Sequence, residues 1–146
     1  EKYELTSEPA YLERGADLLA ASVWDLEAND PRRCEAGSEL VDALRQLWLI
    51  TDDPAVLDQA IVAAVRTRRL ASPVDGMAWL LLHRYGASAA YSRWVRRPNP
   101  DDLELAYRFW QPLLHLGMDP ASARECEAVL RAWEALPADI ELPPSS

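Results

Sequence analysis

The residues of this chain that could do chemistry are two histidines, two cysteines and a large stock of acids. A histidine beside a carboxylate can serve as a general base, and a cysteine beside a histidine can serve as a nucleophile. His83 stands in "LLLHRY" and His115 in "PLLHLG", far apart and each inside an apolar run. Both therefore read as packed or half-exposed helix residues. Cys34 and Cys126 form no CxxC pair and no Cys/His cluster at zinc spacing. They read as small buried residues of a reducing cytosol. The acids of "TDD" and "NPDDLE" lack the alternating oxygens and invariant glycine of a calcium loop. The sequence holds no HExxH, no glycine-rich phosphate loop and no GxSxG. The expectation is a protein that is not an enzyme, with no metal and no cofactor.

Charge narrows the partners. The 146 residues carry a net charge of −9, which opposes binding to nucleic-acid phosphates and to an anionic membrane surface. No apolar run nears the ~20 residues that span a bilayer. A cytoplasmic location is expected. Lys2 is the only lysine, and the arginine-for-lysine and alanine bias reads as bacterial.

The elements that position these residues are announced by proline. Six prolines follow a polar or acidic residue: Glu8-Pro9, Asp30-Pro31, Asp53-Pro54, Ser72-Pro73, Asn99-Pro100 and Asp119-Pro120. Proline suits the first helical position, and Asp, Ser and Asn are preferred caps. The spacing predicts six helices: Pro9–Glu27, Pro31–Ile50, Pro54–Leu70, Pro73–Val95, Pro100–Leu116 and Pro120–Leu136. Apolar residues recur at helical spacing, as in Leu40, Val41, Leu44, Leu47 and Trp48. Pro112 is expected to kink or split the fifth helix, and Gly86 to loosen or break the fourth. The tail "PADIELPPSS" reads as an extended end or linker stub over 137–146.

Three of the starts look like copies. Pro9, Pro54 and Pro100 are 45 and 46 residues apart. At matching offsets follow Leu12, Leu57 and Leu103, then Glu13, Asp58 and Glu104, then Gly15, Ala60 and Ala106. The leucine is expected to pack inward and the small residue to let helices approach closely. Trp48 and Trp94 each stand six residues before a proline, Pro54 and Pro100, and are expected to close the joints. A helical hairpin of about 45 residues, present three times, is the unit of a helical-repeat stack. The units run over about 7–50, 51–96 and 97–136, within one domain spanning 1–136.

The joint "TDDPAVLDQAI" resembles the tetratricopeptide-like repeats of actinobacterial multidomain proteins, many of them joined to a caspase-like CHAT protease domain. Thr51, Asp53, Pro54, Ala55, Leu57, Asp58, Ala60 and Ile61 match that pattern, with Asp52 where glycine is usual. Arg93-Trp94 and Asn99-Pro100 match at the next joint. The resemblance implies an all-α, right-handed solenoid of three stacked antiparallel hairpins. It also implies an interaction module within a larger signalling or effector protein. No protease residue is carried over.

In such a solenoid the first helices of the hairpins line a concave face that takes peptides or partner domains. The candidates for that face are Asp17, Arg66, Arg69, Tyr107, Arg108, Trp110 and His115. The run "RTRRL", Arg66 to Leu70, is the clearest basic patch and suits an acidic segment as well as a helix C-terminus. The competing expectation is a small-molecule or enzymatic pocket near Trp110 and His115. A third is a structural, self-associating unit.

Overall fold

The computed structural model describes residues 2–27 and 29–136. Among these it contains six α-helices and no strand: α1 (Lys2–Asp25), α2 (Arg32–Thr51), α3 (Pro54–Arg68), α4 (Met77–Arg96), α5 (Pro100–Trp110) and α6 (Pro120–Glu134). Two 3-10 turns, Pro73–Asp75 and Gln111–Leu113, precede α4 and follow α5. The expected tail, 137–146, lies outside the described residues.

Three starts are built as their residue types require. The Asp53 side chain accepts from the Ala55 N–H at 3.0 Å, and Asn99 accepts from Asp101 N–H at 3.0 Å. Asp119 accepts from Ser122 N–H at 3.1 Å. Each satisfies one of the donors that a helix N-terminus leaves open, with proline as the first helical residue.

The other three starts differ from expectation. Pro9 lies inside α1, which begins at Lys2, because no breaker stands among residues 2–8 to stop the helix upstream. At Pro31 the helix starts one residue later. Asp30 does the capping by accepting from the Arg32 N–H at 2.9 Å. Pro73 opens a 3-10 turn instead of a helix, closed by a Ser72/Asp75 capping box. Gly76, at φ 65°, then redirects the chain into α4.

The chain forms two compact units that divide between Tyr85 and Gly86. In the first, α2 packs against both α1 and α3. Its core holds Val23, Leu40, Val41, Leu57, Ala60 and Ala64, all at most 2% exposed. Arg33, at the start of α2, lies against Trp24, at the end of α1. Gly37, early in α2, faces Thr67, at the end of α3. Both pairs show that α2 runs antiparallel to its neighbours, so α1 and α3 point the same way. A Cβ on Gly37 would run into the Thr67 side chain, which makes glycine the residue that lets α2 and α3 approach.

In the second unit α5 packs against α6, and Leu103, Ala106, Phe109, Trp110 and Val129 are buried. Gly86 does not break α4. A Cβ there would stand 2.7 Å from the Phe109 ring, so the glycine makes room for an aromatic core residue. Pro112 acts as expected. It ends α5 at Trp110 and the chain passes into the 3-10 turn Gln111–Leu113.

The copied offsets agree at two places and disagree at the first. Leu57 and Leu103 are buried, as are Ala60 and Ala106. Gly15, the third small residue, is exposed with open space around it, and Ala16 is the buried neighbour.

Candidate functional site

A concavity of the first unit lies over α2, between α1 and α3, and has a volume of about 310 Å³. Its α1 wall is Ala16, Asp17, Ala20 and Trp24, which share a face through steps of one and four. Leu40 and Leu44 of α2, one turn apart, make the floor. Asp58, Gln59, Val62, Ala63 and Arg66 make the α3 wall. The floor leucines are buried, whereas Val62 is 63% exposed. The groove is therefore apolar at the base, with charges at the edges.

Trp24 closes one end. The Arg66 guanidinium carbon stands 4.0 Å from the centroid of its ring, and that of Arg33 stands 5.7 Å from it. Arg33 also donates from Nη1 to the Leu26 carbonyl at 3.0 Å, so this cation is held in place by the α1–α2 connection. Guanidinium planes stack well on an indole.

The second unit carries a more polar surface site of about 400 Å³, lined by Glu104, Tyr107, Arg108, Gln111 and Trp133. Tyr107 and Trp133 stack with centroids 4.8 Å apart and planes 3° from parallel. Arg108 binds Glu104 at 2.9 Å, an i,i+4 pair along α5.

The candidates from sequence thus fall into groups. Asp17 and Arg66 share the groove of the first unit, and Tyr107 and Arg108 share the site of the second. Arg69 is exposed just past the end of α3, and His115 is exposed beyond the 3-10 turn. Trp110 corrects the reading. It is 1% exposed and presents nothing to a partner. Leu103, Ala106 and Trp110 step by three and four, so Trp110 belongs to the buried stripe of α5. That spacing was readable, and it places Trp110 in the core. Trp24 and Val62 are the contributions that sequence reading did not single out as site residues. Their walls become one site only when α1 and α3 lie side by side.

No family model matches the chain, and neither a curated protein nor a solved structure matches it.

His83, Cys34 and Cys126 are buried, unlike His115. Burial lowers the pKa of His83, and its Nδ1 lies 2.8 Å from the Trp79 carbonyl oxygen. A carbonyl only accepts, so Nδ1 carries the proton of a neutral ring. Burial, with Asp75 alongside, pushes the Cys34 thiol up to about 12, and burial raises Cys126 also. Thiolate is the nucleophilic form, and both sites oppose it. No group of His, Cys, Asp and Glu suited to a metal occurs among the described residues. No helix among them is long and apolar enough to cross a membrane.

One buried ion pair escaped the sequence reading. Asp102 is 6% exposed, and its Oδ1 accepts from Arg93 Nε at 2.9 Å and Nη2 at 2.6 Å. As the last residue of "NPDD" it stands in the first turn of α5, where the helix dipole favours an acid. In the fold it ties α5 to α4.

Proposed function

We propose that this chain is a protein–protein interaction module of the tetratricopeptide-like kind, a right-handed stack of helical hairpins that binds a peptide segment of a partner. The observation that carries the reading is the groove over α2, with its leucine floor, its exposed Val62 and the Arg66–Trp24 edge. An apolar floor rimmed by Trp and Arg is the composition of interface hot spots. The left-handed Asp52, at φ 55° and ψ 27°, supports the family resemblance. It occupies the helix-ending position at which the family pattern has glycine, and such positions favour glycine. On that resemblance the module works in the cytoplasm as part of a larger effector or signalling protein.

The test is selection of binders from a random peptide display library on the intact chain. Each binder is then re-measured on Val62→Glu and on Arg108→Ala. The proposal expects binders that lose affinity at least about tenfold on Val62→Glu, where a charge enters the apolar wall, and keep it on Arg108→Ala. Binders indifferent to Val62→Glu, or no binders at all, would sink it.

A further inference from the structure

The groove is electrically polar along its length, and this gives its occupant a charge pattern. Asp17 and Trp24 lie seven residues apart on α1, and Asp58 and Arg66 lie eight apart on α3. At ~1.5 Å per residue each wall is roughly 10–12 Å long. Because α1 and α3 run the same way and Arg66 meets Trp24, both walls have their acid at one end. Both have their aromatic or cationic residue at the other. Leu40, Leu44 and Val62 lie between.

We propose that the groove selects an extended peptide segment with a basic residue, a large apolar residue and an acidic residue in that spatial order. The basic residue sits at the Asp17 end, the apolar side chain over Leu40 and Leu44, and the acid at Arg66. This rests on the interaction-module reading above. An extended chain advances ~3.3 Å per residue, so the two charges stand three or four residues apart. Arg66 suits the acid because its exposed guanidinium stands over the Trp24 ring at the rim of the groove, and a guanidinium is a fork of N–H donors matched to a carboxylate. Arg33 lies against the same ring and raises the positive potential of that end. The chain's overall charge of −9 would steer an acid away, so this end is the local exception that makes the pattern two-signed.

The experiment uses the peptides selected on the intact chain that depend on Val62. Their sequences should be enriched in a basic and an acidic residue three or four apart, flanking an apolar one. Arg66→Glu should weaken such a peptide roughly three- to tenfold, and replacing the peptide's acid by lysine should restore binding to that variant. Asp17→Lys should do the same for the basic residue. Both sites are exposed, and helical circular dichroism checks that each variant folds. Val62-dependent peptides without the pattern, or charge swaps without rescue, would overturn this inference and leave the module reading standing. An absence of Val62-dependent peptides would overturn both.

Discussion

The Arg66 guanidinium lies 4.0 Å above the Trp24 ring and joins α3 to α1 across a helix that separates them in sequence. The pair should be coupled. Trp24→Ala and Arg66→Ala together should cost less than the sum of the single changes, by about 0.5–1 kcal/mol. Urea unfolding of the four proteins measures that difference. Exact additivity would mean the contact contributes nothing.

The three helical glycines of known surroundings should respond with opposite signs. Gly15→Ala, in open space, should stabilise the chain by up to about 1 kcal/mol, because alanine is the better helix former. Gly86→Ala should destabilise it by about 1–2 kcal/mol, since a Cβ 2.7 Å from the Phe109 ring forces repacking. Gly37→Ala should also destabilise, with partial recovery when Thr67 is shortened to alanine. Thermal and urea midpoints decide it, and a stabilising Gly86→Ala would refute the close packing.

Removing the buried carboxylate at Asp102 should cost about 2 kcal/mol. Asp102→Ala deletes both hydrogen bonds from Arg93 and leaves a partly buried cation without this partner. Asp102→Asn keeps an acceptor and should cost less. Equal losses for the two variants in urea melts would show that the retained acceptor contributes nothing, and no loss in Asp102→Asn would show that the charge is immaterial.

The Cys34 thiol gives a pH signature. Its folded pKa of about 12 lies above the ordinary thiol value. The unfolded chain therefore loses this proton first as pH rises. Its contribution to stability is whole below about pH 9 and declines from there to about 12. Wild type should lose stability faster than Cys34→Ala between about pH 9 and 11. At pH 8 a thiol reagent should modify Cys34 only after urea is added. Rapid labelling of the native thiol would contradict the burial.

Much of the local structure was legible because it depends on near neighbours. Asp53-Pro54, Asn99-Pro100 and Asp119-Pro120 each state a cap and a first helical residue within three positions. Pro112 states a stop for the same reason. Ser72-Pro73 misled because the same two residues can open a 3-10 turn, and Gly76 four residues after Ser72 turns the chain. Pro9 misled because the helix entering from Lys2 is continuous through it.

The sequence by itself determined an all-helical chain, the placement of most helices, and the absence of any ready-made catalytic motif. These follow from caps, prolines and apolar spacing, all short-range. The tertiary structure alone decided which face each helix turns inward. That choice buried Trp110, left Gly15 in solvent and turned Gly86 from a helix breaker into a space for Phe109. It also set Asp17, Trp24, Val62 and Arg66 around one groove. Which side chains share a groove depends on how antiparallel neighbours pack, and no spacing within a single helix specifies that.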